Sequence, residues 1–145
     1  MEPYKHILVA LDLSNEAQQV AEQGQDLAAH YGAKLSLIHV VEPVIVDNSY
    51  DLMTSLPAEL DDTLLVRART FLEKITKQLN QADVQQIVTL GSTRSEIFRV
   101  AQEQAMDLIV IGTHGRHGVG LLLGSTANAI LHGTPCDVHA VRIHS

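Results

Sequence analysis

The chain has no tryptophan and only two phenylalanines and three tyrosines in 145 residues. So few rings exclude a core built on aromatic stacking and leave Val, Leu, Ile and Ala to fill it. The single cysteine, Cys136, excludes an intrachain disulfide and suits a reducing compartment. No window reaches the ~18 consecutive apolar residues that span a bilayer. The first residues, Met1-Glu2-Pro3-Tyr4-Lys5-His6, lack the charged, apolar and cleavage regions of a secretory signal. Basic residues are also scarce, ten against seventeen acidic ones, for a net charge of −7. That excludes a general nucleic-acid surface, yet leaves room for one anionic ligand held by backbone dipoles. These absences lead to the expectation of a cytoplasmic globular protein with no membrane segment. The length suits a single domain over residues 1–145.

What is present is an alternation of short apolar runs and amphipathic stretches. Ile7-Leu8-Val9-Ala10-Leu11 is continuous in its apolarity, as in a strand buried on both faces. Ser14 is a good N-cap for a helix carrying Ala17, Val20, Ala21, Gly24, Leu27 and Ala28, and Gly32 suits its C′ position. Leu35 to Val41 predicts a second strand, closed by Pro43. Residues 43–56 show no period and read as a surface loop. A helix opens at Pro57 and runs to about Asn80 on a stripe of Leu60, Leu64, Ala68, Phe71, Leu72, Ile75 and Leu79. A third strand follows over Val84 to Leu90. Thr93-Arg94-Ser95-Glu96 has the spacing of a capping box, ahead of Ile97, Val100, Ala101 and Ala105 on the next helix. Strands over 107–111 and 137–143 flank a last helix over 125–132. This order, β-α-β-α-β-α-β-α-β, predicts an α/β fold. Its five-stranded parallel sheet is doubly wound in a Rossmann-like or flavodoxin-like layout, with helices on both faces.

In such sheets a ligand lies outside the carboxyl ends of the strands, where the winding reverses. Two segments there carry usable chemistry. Asp12 follows the first strand. Gly112-Thr113-His114-Gly115-Arg116-His117-Gly118-Val119-Gly120 follows the fourth and runs through Gly124 into Ser125-Thr126. If strands one and four are neighbours, as in a 3-2-1-4-5 order, both face one crevice. Asp12 can accept a ribose hydroxyl or an adenine amino group. Loop amides and the Ser125 and Thr126 hydroxyls can bind phosphate, and Arg116 can add charge. The alternatives are a glycine loop that only makes a tight turn and an Asp12 that only serves the helix N-terminus. The loop is neither a Walker loop, lacking Gly-Lys-Ser/Thr, nor a dinucleotide fingerprint, lying after the fourth strand. His114 and His117 are three apart, but no Cys or carboxylate pair accompanies them, so no metal site is expected. Cys136 reads as a structural thiol. The sequence has no Gly-x-Ser-x-Gly elbow and no His-Glu-x-x-His helix, so no enzymatic activity is expected.

Three stretches resemble the universal stress protein A family: Tyr4-Lys5-His6-Ile7-Leu8-Val9-Ala10-Leu11-Asp12-Leu13-Ser14, Leu35-Ser36-Leu37-Ile38-His39-Val40, and Asp107-Leu108-Ile109-Val110-Ile111-Gly112-Thr113-His114-Gly115-Arg116. The resemblance covers essentially the whole chain. It implies strand order 3-2-1-4-5, a homodimer joined through the last strand, and a role in survival under stress. One branch of the family binds ATP through Gly-x2-Gly-x9-Gly-Ser/Thr, and the other lacks the glycines and does not. Gly112, Gly115, Gly124 and Ser125 match the binding pattern, but only eight residues separate Gly115 from Gly124. By resemblance, Asp12 and the Val40 backbone would contact adenine or ribose. Gly112, Gly115, Gly124, Ser125 and Thr126 would line the ribose and phosphates. A one-residue deletion taken up in a helix turns it by ~100° and shifts it ~1.5 Å, unless Gly118 and Gly120 absorb the change. Two expectations therefore stand: a stress protein that binds ATP or another adenine nucleotide without appreciable turnover, and a stress-response dimer that acts by protein contacts alone.

Overall fold

The computed structural model describes residues 3–43, 56–79, 81, 83–113 and 125–143. The loop 43–56 falls almost wholly outside them. So do His114, Gly115, Arg116, His117, Gly118, Gly120 and Gly124.

The elements follow in the order β1 (His6–Ala10), α1 (Ala17–Tyr31), β2 (Lys34–Val41), α2 (Leu56–Gln78), β3 (Val84–Leu90), α3 (Thr93–Glu103), β4 (Leu108–Gly112), α4 (Ser125–Leu131) and β5 (Asp137–Val141). All four strand pairs are parallel, in the order β3-β2-β1-β4-β5. The predicted α/β architecture and strand order are those observed.

Continuous apolar runs become intelligible once both faces of the sheet are covered. Ile7, Val9, Leu35, Leu37, Leu108 and Val110 point to one side and pack with α1 and α2 through Ala17, Val20, Ala21, Leu72 and Ile75. Leu8, Ile38, Val40, Ile109 and Ile111 point to the other and pack with α3 and α4 through Ile97, Val100, Ala127 and Ile130. Each strand of the central trio thus supplies side chains to two cores, which the period-2 alternation of a strand makes unavoidable.

Several local expectations need correction. Ser14 is not the N-cap of α1: its amide and hydroxyl both donate to Asp12 Oδ1, and the helix starts later, with Glu16 in the cap position. Residues with short polar side chains often prefer such a local turn to a cap. The Thr93–Glu96 capping box does not form either. Ser92 is the N-cap, and Glu96 pairs instead with Arg99 at 2.7 Å. Ala105 lies beyond α3, in the left-handed region at φ 52°. The last strand ends at Val141, so Arg142 and Ile143 lie past it. Gly32 does close α1 as expected, at φ 65°, with Ala33 N–H donating to the Ala28 carbonyl at 2.8 Å.

Gly24 lets α1 lie close against β1. An added Cβ would stand 2.3 Å from Val9 Cγ2. Gly24→Ala gains helix propensity of about 1 kcal/mol, but overpacking of this kind costs about 1–3 kcal/mol. A net fall in the unfolding midpoint is expected, reduced when Val9→Ala makes room. An effect of Gly24→Ala that is the same in the Val9→Ala background would contradict the close approach.

At the opposite end of the sheet from the strand carboxyl termini, His6 Nε2 lies 2.8 Å from Ser36 Oγ, which donates to Gln85 Oε1 at 2.9 Å. Ser36 is fully buried. Burial, and then the charge of Lys34, lower the His6 pKa, against the opposing pull of the Gln104 carbonyl and Asp107. The unfolded chain therefore binds this proton more tightly than the folded one. Stability from this group is complete above the unfolded pKa of about 6.5 and declines as pH falls below it. Denaturant titrations at pH 7.5 and 5 should show a smaller acid loss in His6→Gln than in the wild type. An identical loss would exclude His6 as its source.

Candidate functional site

The strand order makes β1 and β4 neighbours, so the chain leaving each strand meets at one crevice. Asp12 and Gly112 both line it. So do Val40, from the end of β2, and Thr126, from the first turn of α4. Four residues singled out in the sequence thus share one cleft, whose volume is about 710 Å3 including its open mouth. Ser125 begins α4, at the same end. Gly115 and Gly124 lie outside the described residues.

The chain holds Asp12 by an Asx-type turn, its Oδ1 taking the Ser14 amide at 3.1 Å. That fixes the carboxylate at the mouth of β1 and explains why it is not a helix-capping group. Gly112 has a packing reason of its own. A Cβ there would stand 3.1 Å from Val20 Cγ2 and 3.4 Å from Ile143 Cδ1. Its backbone is not in the left-handed region, so crowding, rather than turn geometry, asks for glycine. Thr113 ties this end to the last strand: its amide donates to the Val141 carbonyl at 2.9 Å, and its hydroxyl accepts from the Ile143 amide at 3.3 Å.

The floor of the cleft is apolar, with Ile38, Val40, Ile97, Ile111 and Ala127. Its polar groups sit around that floor. This suits a flat ligand with an apolar body and hydrogen-bonding edges. Ser14, Glu16, His39 and Thr93 also line the cleft, none of them expected there from the sequence. Of these, His39 donates from Nδ1–H to the Leu11 carbonyl at 2.7 Å. Thr93, at the start of α3, donates to Glu42 Oε1 at 2.9 Å. The available signal was positional: both residues lie next to carboxyl ends of neighbouring strands. Among the described residues, no group of three His, Cys, Asp or Glu side chains could hold a metal ion. No helix among them is long and apolar enough to cross a membrane.

The model of the universal stress protein family matches residues 3–142. The chain belongs to the universal stress protein family. Universal stress protein A homolog 2 of Coxiella burnetii is 44% identical over 146 residues, covering 99% of this chain and 98% of that protein. Homolog 1 of the same organism is 38% identical, over 95% and 96%. The universal stress protein UspA from Lactobacillus plantarum has a similar structure, with a TM-score of 0.83 at 23% identity over 97% of this chain and 99% of that one. A universal stress protein solved in complex with cAMP has a TM-score of 0.64 at 21% identity, over 96% and 97%. At such identities these structures speak for the fold.

In this universal stress protein Cys136 precedes β5 and is half-buried. Burial raises its thiol pKa to about 11, with Asp107 and Asp137 adding to the shift and a Thr134 hydrogen bond opposing it. The thiolate is the reactive form. Iodoacetamide at pH 8 should therefore label the native protein much more slowly than the urea-unfolded chain. Equal rates would mean that the thiol is not protected by the fold.

Proposed function

We propose that this universal stress protein binds ATP or another adenine nucleotide in the cleft between β1 and β4, without appreciable turnover. The observation that carries this reading is the convergence of Asp12, Val40, Gly112 and Thr126 on one cleft at the reversal of strand order. In it, Asp12 and the Val40 backbone contact adenine or ribose. Gly112, Gly115, Gly124, Ser125 and Thr126 line the ribose and phosphates. The apolar floor offers the purine a surface, and the polar rim offers hydrogen bonds to its edges and to the ribose. The cAMP complex of a structural neighbour supports an adenine nucleotide as the ligand class. We place the protein in the cytoplasm, as a non-enzymatic homodimer of one domain. Its interface is the last strand, β5, and the residues that follow it. β5 lies at one edge of the sheet and leaves Val138 half-buried and Ala140 exposed, and an open apolar edge favours pairing.

The spacing of eight residues between Gly115 and Gly124 favours a second reading, a stress-response dimer that works by protein contacts and takes no nucleotide. Calorimetric titration with ATP, with GTP as control, separates the two. Binding should raise the unfolding midpoint, since a ligand at a hundredfold excess over its Kd adds about 2.7 kcal/mol to the native state. Asp12→Asn keeps the oxygen that accepts from Ser14 and removes the charge. It should weaken ATP about tenfold, the equivalent of one strong polar contact, with the fold intact. No heat and no stabilisation at millimolar ATP would establish the second reading.

A further inference from the structure

Arg94 is exposed, yet its guanidinium is bound to backbone through Nε and Nη2. Nε donates to the Ala129 carbonyl at 3.0 Å and to the His132 carbonyl at 3.2 Å, and Nη2 donates to the His132 carbonyl at 2.6 Å. The group also lies over the Phe98 ring, 4.7 Å from its centroid. Ala129 belongs to α4 and His132 follows it directly, so α3 grips α4 at its C-terminal end. A planar fork is suited to hold two carbonyls at once, whereas a lysine offers a point charge. The grip also needs Gly133. At φ 79° its backbone disfavours a side chain, and a Cβ there would stand 2.6 Å from Arg94 Nη2.

The other end of this short helix lines the cleft through Thr126 and Ala127. On α3, the residue beside Arg94 is Thr93, which lines the same cleft and reaches Glu42 at the end of β2. Two consecutive residues of one helical turn therefore tie α3 to two different elements that line the cleft. Thr93 holds the wall at β2, and Arg94 holds the wall at α4.

We infer that Arg94 is a positioning residue for the ligand cleft: through its fork on Ala129 and His132 it sets where Thr126 stands. It does not touch the ligand. This rests on the nucleotide reading above, in which Thr126 lies at the ribose and phosphate side. Loss of the fork should then weaken the phosphate-bearing ligand and spare the nucleoside.

The test is titration of wild type, Arg94→Ala, Arg94→Lys and Gly133→Ala with ATP and with adenosine, alongside amide hydrogen exchange over α4. The expected result for Arg94→Ala is about tenfold weaker ATP binding, adenosine within about twofold, and lost protection in α4 with α1 and α2 unchanged. Arg94→Lys should recover only part of the ATP affinity, and Gly133→Ala should behave like Arg94→Ala. Equal losses for the two ligands, or an undiminished ATP affinity in Arg94→Ala, would overturn the inference. If the wild type binds neither ligand, the nucleotide reading fails by itself and exchange decides the clamp. Deprotection confined to α4 in Arg94→Ala upholds it, and unchanged protection overturns it.

Discussion

β1 is enclosed on every side. It is hydrogen-bonded to β2 along one edge and to β4 along the other. Ile7, Leu8 and Val9 are inaccessible on both faces. A strand in that position cannot carry a polar residue on either face without an internal partner, so five residues of the sequence are nearly all aliphatic. From this enclosure the rest follows. Helices must cover both faces, and with both neighbours parallel to β1, β1 and β4 open at the same end. The crevice at that end is a product of topology before any ligand enters the account.

This constraint also explains why so much of the fold could be read in the sequence. Burial on both faces writes itself as unbroken apolar runs, visible at Ile7–Leu11 and Leu108–Ile111, and the helices between them show their stripes plainly. Helix starts were harder to read because they depend on competition between nearby side chains. Ser14 looks like a cap until Asp12 is seen to take both its amide and its hydroxyl. Glu96 looks like half of a capping box until Arg99 is seen to hold it. Such contests turn on distances of a few tenths of an ångström, and one-dimensional spacing does not contain them.

The cleft divides in the same way. Asp12 and Gly112 announce themselves by following strands, and the topology brings them together. His39 and Thr93 do not, because each reaches the cleft through a partner remote in sequence: Leu11 for one, Glu42 for the other. Arg94 is harder still, since its contacts are main-chain carbonyls of Ala129 and His132, and a carbonyl leaves no trace in the identity of a residue. The polar chain from His6 through Ser36 to Gln85 is legible only after register is known, because Ser36 faces Gln85 directly but meets His6 two residues out of register.

Gly112 has a place in both the core and the cleft. A Cβ there would crowd Val20 Cγ2 at 3.1 Å and meet Ile143 Cδ1 at 3.4 Å, and the residue also lines the cleft. That crowding comes from the core and exists whether or not a ligand is ever bound, since an alanine would require Val20 beneath α1 to give by a few tenths of an ångström. Glycine at this position is therefore accounted for by packing before any ligand is invoked.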